Sequence, residues 1–440
     1  MVDLMCAPIQ RLATSTLTFI LALASTPSPG HDCPDQIHYL SDTDNAYRYL
    51  EGRQRAIYEA NPDIADPYSR QEMNKPGAMN TFTDLTNTLS HQGCDARGKN
   101  CVGDAELSKM ILEKLRCSSL PTRFESPVFI VLINIYSQAI EPFIRQDYPK
   151  SESIRLGSLP TGTIDAQALK PPHIDSPIVI LNRDLFFFTG VFSKAVADAI
   201  PIRTVNGTVE ISSDPKALAE RHRQRPDIAA NFADAMSRMV QKGSTSGARE
   251  VLLDADHNRL HARLVASMDM FIMLHEDSHV ILGHVAAGSM SYNFKGEKTA
   301  VLPEGIAAAP ESTLTLLKRS RSDELAADAL GFKLLLKVRS GTADTANPVD
   351  LMVAAAAPDV VFGIIDAADR YNRQSTGASF SDAAHPSASD RRKSLEAVYK
   401  ELASPGGPLA GVPDFRGAID AALDALLVES DPIIRKNLGL

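Results

Sequence analysis

The chain has 440 residues, of which 44% are hydrophobic and 22% are charged, and its formal net charge is −9. This composition is typical of a folded globular protein and excludes an intrinsically disordered chain. The acidic balance argues against a general attraction to nucleic acid or to anionic membranes, so neither is expected as a partner.

The N-terminus has the form of a secretory signal peptide. Arg11 precedes an apolar stretch that is too short to span a bilayer comfortably, and the stretch ends in Ala22-Leu23-Ala24. Asp3 weakens the positive charge of this region, which leaves an uncleaved anchor or a plain N-terminal helix as alternatives. Residues 1–24 are therefore predicted to be a signal peptide. The protein is expected to be periplasmic or secreted, with a cytoplasmic or membrane-anchored location as the alternative.

Four cysteines would remain after cleavage: Cys33, Cys94, Cys101 and Cys117. An even number suits an oxidising compartment and allows two disulfides, with unpaired thiols as the alternative. Cys94 and Cys101 are too far apart for a C-x-x-C zinc knuckle. The later apolar segments are short or interrupted by charges, so no stable membrane span is expected.

An N-terminal helical lobe is predicted over residues 25–126. Asp42 to Ala60 has the pattern of a polar amphipathic helix, and Asn61 to Met79 is a Pro-rich connection. Asp104 to Cys117 is predicted to be a second helix, with its first residue as the N-cap.

A small sheet is expected next. Pro127 to Ile133 and Pro177 to Leu181 are continuous apolar runs rich in β-branched residues, which suits buried strands. Asp184 to Ile200 is predicted to be helical. Thr204 to Ser212 alternates like a strand and contains Asn206-Gly207, a turn signal for a hairpin.

From Asp214 onward nearly every segment has a helical pattern. The expected breaks are Pro226, Gly243 to Gly247, Ser289 to Ser312, Pro348, Pro358, Pro386 and Pro413. The predicted fold class is therefore mainly α (α+β), with a small β-sheet and residues 127–440 as one domain.

The segment His275-Glu-Asp-Ser-His279 is an H-E-x-x-H motif inside an apolar run. Residues four apart on a helix project from one face, so both imidazoles can bind one Zn²⁺ ion. Glu276 then projects towards the substrate side, where it can take a proton from a water molecule on the metal. His284 lies five residues beyond His279, and a continuous helix would turn it away from the metal. We therefore expect a structural or supporting role for His284.

A second pair of acidic residues, Glu324 and Asp328, stands four apart in an Ala- and Leu-rich helical stretch. Two carboxylates on one helical face repel each other unless a cation or hydrogen-bond donors lie between them. We expect Glu324 to bind the metal and Asp328 to accept a ring N–H from a histidine ligand. A solvated acidic face balanced by neighbouring basic residues is the alternative.

These motifs together resemble a known family. H-E-x-x-H followed by S-R-x-x-E-L-A-A-D-x-x-G, which spans Ser320 to Gly331, is similar to the gluzincin metallopeptidases of the HtpX and CAAX prenyl protease type. His385-Pro386 and Arg391 match that family's downstream H-P-x-x-x-x-R. The resemblance covers roughly Pro177 to Tyr399 and is closest to a soluble, exported branch of the family.

The resemblance implies a gluzincin-like helical metalloprotease domain that holds one zinc ion per chain and cleaves proteins or peptides. It implies His275, His279 and Glu324 as zinc ligands, Glu276 as the general base, and Asp328 as the partner of a ligand. His385 and Arg391 would line the cleft and help to stabilise the oxyanion, although a helix start with a surface basic pair is also consistent with them.

Two features depart from the family pattern. Asp277 and Ser278 replace the small or apolar pair that commonly separates the two histidines, and the polar segment Ser289 to Ser312 is longer than expected. That segment is predicted to be a lid or a substrate-binding insertion.

Two other functions remain open. One is a non-catalytic or chaperone-like zinc protein with the same ligands, and the other is an intracellular zinc protease without a cleaved signal. A chance motif without metal is a further alternative. The sequence does not indicate the oligomeric state or the cleaved bond.

Overall fold

The computed structural model describes residues 38–60, 119–149, 154–160, 164, 166–205, 208–212, 214–245, 247–249, 253–285, 321–341, 348–377 and 386–440. Several predicted features lie outside these residues: the signal peptide, the four cysteines, the connection at 61–79, the helix at 104–117, the Asn206-Gly207 turn, the insertion at 289–312 and His385.

Helices make up most of the described chain. They are α1 (Asn45–Ala60), α2 (Pro127–Asp147), α3 (Arg183–Ala199), α4 (Pro215–Gln224), α5 (Asp227–Lys242), α6 (Ala255–Ile281), α7 (Arg321–Ser340), α8 (Pro348–Thr376), α9 (Ala388–Leu402) and α10 (Arg416–Leu438). The strands are β1 (Arg155–Leu159), β2 (Ala166–Leu169), β3 (Ile178–Asn182), β4 (Ile202–Val205) and β5 (Thr208–Ile211). The prediction of a mainly helical fold with a small sheet is therefore confirmed.

The three-stranded sheet has the order β1-β3-β2, with β1 parallel and β2 antiparallel to the central strand. Every residue of β3 is buried, because alternate side chains face two different cores. Ile178 and Ile180 pack with α1, whereas Val179 and Leu181 join the main helical core. The described helix of the predicted N-terminal lobe thus covers one face of the sheet. Helices α2 and α6 cover the other.

A buried polar network fixes α1 and the segment before α2 to the sheet. Glu125 accepts hydrogen bonds from the Ser158 backbone N–H at 2.8 Å and from the Gln54 side chain at 2.9 Å. Burial outweighs these bonds and raises the pKa of Glu125 to about 7. The network therefore joins three distant stretches of chain beneath the sheet.

Several predicted elements are confirmed. Helix α1 lies within the predicted Asp42 to Ala60, β3 matches the second apolar run, and α3 matches Asp184 to Ile200. β4 and β5 form the predicted antiparallel pair, and helices dominate from residue 214 onward. The short strands β1 and β2 were not predicted, because each is at most five residues long and neither is a continuous apolar run.

The predicted strand Pro127 to Ile133 is wrong, because this segment begins the 21-residue helix α2. The apolar pattern does not stop at Ile133 but continues with helical spacing, and Ile130, Ile133, Ile140 and Ile144 are all buried. A proline at the first helical position is also favourable, because the N–H that proline lacks would have no partner within the helix there. Length and periodicity therefore outweigh the β-branched composition.

The predicted break at Pro358 is also wrong, because α8 continues through that residue. An internal proline costs a helix about 3 kcal/mol, yet this one lies in the buried stretch from Val353 to Ile364. Packing of that stretch in the core offsets the cost. Of the described helices, α8 alone is long and apolar enough to cross a membrane, and 83% of its most apolar window is buried inside the protein. Such burial is typical of a core helix.

Candidate metal centre

Helix α6 carries the H-E-x-x-H motif on its last two turns. Its N-terminus is capped by Asp254, whose carboxylate accepts the backbone N–H groups of Asp256 and His257. His275 and His279 are both buried and face the same side of the helix, as the spacing predicts. The two rings meet edge to face, with centroids 4.7 Å apart.

Helix α7 brings the acidic pair to the same place. Glu324 and Asp328 are buried on its first two turns, and Gly331 lies one turn further on, where it contacts α6. A Cβ atom at Gly331 would lie 3.0 Å from the backbone nitrogen of His275. The glycine therefore allows the two helices to approach until their backbones are in contact, which brings both carboxylates within reach of the histidines.

The structure brings together the three predicted metal ligands, His275, His279 and Glu324, in one buried group. The Nε2 atoms of His275 and His279 lie 3.2 Å apart. Oε2 of Glu324 lies 3.5 Å from Nε2 of His275, and Oε1 of Glu324 lies 3.3 Å from Nε2 of His279. Ligands bound to a tetrahedral zinc ion at about 2.0–2.1 Å lie about 3.4 Å from one another. The spacing and the two-imidazole, one-carboxylate donor set therefore fit a divalent metal ion.

Glu276 lies at the edge of this group and contacts the sheet. Its Oε2 accepts the backbone N–H of Ala168 in β2 at 2.6 Å, and its Oε1 lies 3.8 Å from His275 Nε2. The backbone bond thus fixes one oxygen of the carboxylate and leaves the other on the metal side. Sequence reasoning missed Ala168, because β2 is a four-residue strand without a hydrophobic pattern of its own.

Asp328 lies behind His275, on the side of the ring away from the other ligands. Its Oδ1 is 2.9 Å from His275 Nδ1, so it can accept the ring proton and leave the Nε2 lone pair facing the other two predicted ligands. Arg391 of α9 donates to both oxygens of the same carboxylate, at 2.5 and 2.7 Å. The guanidinium also stacks over the ring of Phe362, 4.4 Å from its centroid. The structure therefore places Arg391 against Asp328, while His385 lies outside the described residues.

The charges around His275 affect its protonation. Burial and Arg391 act to lower the pKa of His275, but Asp328 and Glu324 outweigh them and raise it to about 9. Burial acts to raise the pKa of Asp328, but Arg391 and His275 hold it below its usual value. Imidazole must lose its proton to bind a metal, so metal binding at this group releases a proton.

The two residues between the histidines contact other parts of the molecule than the three predicted ligands do. Ser278 is buried and donates to the carbonyl of Leu274 one turn earlier, at 2.6 Å. Asp277 borders a cavity of about 60 Å³ between α6, α2 and β1, and within the described chain its Oδ1 has no hydrogen-bond partner. Burial and the neighbouring Glu276 raise the pKa of Asp277 to about 7.

His284 is not one of the three converging donors. Its Nδ1 lies 3.2 Å from His279 Nδ1, which is the ring nitrogen on the side away from Glu324. The expectation that His284 turns away from the metal assumed a continuous helix. Helix α6 ends at Ile281, so the angle of a continuous helix does not apply.

Comparison with known proteins adds no assignment to this geometry. No family model matches the chain, and no curated protein and no solved structure is significantly similar to it.

Proposed function

We propose that this chain is a zinc-dependent endopeptidase of the gluzincin type. The observation that carries the proposal is the convergence of His275, His279 and Glu324 at separations of 3.2 to 3.5 Å, with Glu276 beside them. Two histidines and one glutamate are a ligand set of catalytic zinc sites, which keep a further position for water. A glutamate directly after the first histidine is the residue that such sites use as general base.

Each side chain would have a distinct task. A zinc ion bound by the three ligands would polarise the scissile carbonyl and lower the pKa of a water molecule. Glu276 would accept the proton that the attacking water loses and later deliver it to the leaving amine. The N–H of Ala168 holds one oxygen of Glu276 and would leave the other to face the attacking water.

Asp328 and Arg391 would support the ligands. Asp328 fixes the tautomer of His275, and Arg391 neutralises the buried carboxylate through a bidentate pair. Arg391 therefore acts in this proposal as a positioning residue, because its donors reach Asp328 and its Nη2 also lies 3.3 Å from Nδ1 of His275. A contribution of His385 to oxyanion stabilisation rests on the resemblance alone.

The proposal is tested by separating metal binding from catalysis. Glu276→Gln keeps the three ligands, so we expect it to retain one zinc ion per chain and to lose more than about 100-fold in cleavage of an unfolded protein substrate. Zinc is measured by elemental analysis and cleavage by release of labelled peptides from casein.

The matched control is Glu324→Gln, which we expect to lose both zinc and cleavage. If Glu276→Gln cleaves casein as fast as wild type, Glu276 is not the base. If wild type binds zinc but shows no cleavage that depends on Glu276, the alternative of a non-catalytic zinc protein is supported instead.

A further inference from the structure

The C-terminus of α6 folds back in a specific way. Ile281 is the last helical residue, and Gly283 has a left-handed backbone conformation with φ of 75°. The N–H of His284 donates to the carbonyl of His279 at 2.8 Å, and the N–H of Gly283 donates to that of Val280 at 3.1 Å. These two bonds define a Schellman motif, in which the residue after the glycine returns to the last helical turn.

In a Schellman motif the returning residue usually makes a hydrophobic contact with the helix. Here the contact joins two imidazoles, since the ring centroids of His284 and His279 lie 5.4 Å apart. The closest nitrogens are the two Nδ1 atoms, at 3.2 Å. The motif therefore delivers a hydrogen-bonding ring to the outer nitrogen of a proposed metal ligand.

A carboxylate on the far side of His284 favours one direction for this hydrogen bond. Nε2 of His284 lies 3.6 Å from Oδ1 of Asp323, the residue before Glu324. A carboxylate at that distance favours a proton on Nε2 and leaves the lone pair of Nδ1 as an acceptor. His279 then donates its Nδ1 proton to His284, and its own Nε2 lone pair faces the other ligands.

We propose that His284 is a positioning residue of the metal centre, which accepts the Nδ1 proton of His279 and holds that ring in its metal-binding orientation. His284 thus does for His279 what Asp328 does for His275. This inference rests on the proposed metal site but not on proteolysis, so it is tested by metal binding. The Schellman motif explains why a residue five positions beyond the ligand can have this role.

Three substitutions distinguish positioning from a purely structural contact. His284→Ala removes the acceptor. We expect zinc affinity to fall by roughly 10- to 100-fold, as it does when other partners of metal ligands are removed. His284→Asn places an amide oxygen near the former position of Nδ1, and should keep zinc affinity within about 3-fold of wild type. His284→Gln places its oxygen near the former Nε2 and should resemble alanine.

Zinc affinity is measured by competition with a chromophoric chelator, and Co²⁺ absorption reports the ligand geometry. The control is His173→Ala, an exposed histidine remote from α6 in sequence. Unfolding of each metal-free variant is measured in parallel, because a purely structural role would lower stability without separating Asn from Gln.

Wild-type affinity in His284→Ala, or equal losses in the Asn and Gln variants, would overturn the inference. Failure of the proposed metal site has a different signature, because wild type itself would then bind no zinc or would bind it as weakly as Glu324→Gln. Failure of the proposed proteolysis would appear as zinc binding without cleavage that depends on Glu276.

Discussion

Helix α6 carries two buried polar clusters about two turns apart, and they are satisfied in different ways. In the first, Asp269 accepts hydrogen bonds from Thr189 of α3 at 2.6 Å and from Tyr136 of α2 at 3.0 Å. This group, the Asp269 cluster, has a donor for each carboxylate oxygen, so it is satisfied by the protein alone.

The second group consists of the proposed metal ligands His275, His279 and Glu324, is called the metal cluster for that reason, and has the opposite arrangement. Its outer ring nitrogens contact Asp328 and His284, so once both rings are neutral, as metal binding requires, the inner nitrogens present lone pairs to each other and to a carboxylate. Acceptors that converge in a buried site repel one another unless a cation lies between them. Burial of polar residues on one helix therefore does not by itself mark a functional site. What distinguishes the metal cluster is acceptors that face one another.

The largest effect on zinc affinity is expected when one of the converging acceptors is removed. Glu324→Ala leaves two imidazoles with no carboxylate, and we expect zinc affinity to fall by more than the roughly 100-fold that loss of an orienting partner causes. The measurement is zinc content after dialysis, together with competition against a chelator. The matched substitution in the other cluster, Asp269→Asn, should leave zinc affinity unchanged. Equal zinc content in wild type and Glu324→Ala would show that Glu324 is not a ligand.

The sequence predicts the metal cluster far better than the Asp269 cluster, for a physical reason. The spacing of His275 and His279 fixes their common face on any helix, and the spacing of Glu324 and Asp328 does the same for the partner helix. Asp269 has no such local pattern, because Tyr136 and Thr189 come from helices far away in the chain.

Other parts of the site could not be predicted because they depend on tertiary contact or on a broken helix. The N–H of Ala168 reaches Glu276 only because a short, weakly patterned strand lies at the edge of the sheet. The position of His284 depends on where α6 ends, and the apolar residues after His279 give no sign of that end until Gly283. The packing role of Gly331 is readable in retrospect, since it lies seven residues after Glu324 on the same helical face.

The Asp269 cluster has its own test, through pH. Burial outweighs the hydrogen bonds from Thr189 and Tyr136 and raises the pKa of Asp269 to about 7. Between pH 3.8 and about 7, Asp269 therefore keeps a proton in the folded state that it has lost in the unfolded state. This contribution to the free energy of unfolding is fully present below the unfolded pKa of 3.8 and is lost as pH rises towards 7.

Asp269→Asn mimics the protonated acid and should remove that pH dependence. We expect wild type to lose up to about 4 kcal/mol of its free energy of unfolding, relative to the variant, as pH rises from 4 to 7. Urea unfolding of both proteins in EDTA at a series of pH values measures the difference without a contribution from zinc. Asp175→Asn, at an exposed aspartate, is the control for the change of an aspartate to asparagine. A constant difference between Asp269→Asn and wild type would contradict the prediction.

The smallest expected effect concerns the close contact that places the metal cluster opposite its carboxylates. Gly331→Ala puts a methyl group 3.0 Å from the backbone nitrogen of His275 and 3.2 Å from the carbonyl carbon of Leu274. Backbone atoms cannot move aside as a flexible side chain can, so we expect a loss of about 1–3 kcal/mol in the free energy of unfolding. Zinc affinity should fall as well, because α7 must shift away from the histidines.

Gly190→Ala is the matched control in α3, where a Cβ atom would meet nothing within 4 Å, and it should stabilise the protein by up to about 1 kcal/mol. Wild-type stability and zinc affinity in Gly331→Ala would show that the helices can separate without disturbing the metal cluster, and that its geometry is set elsewhere.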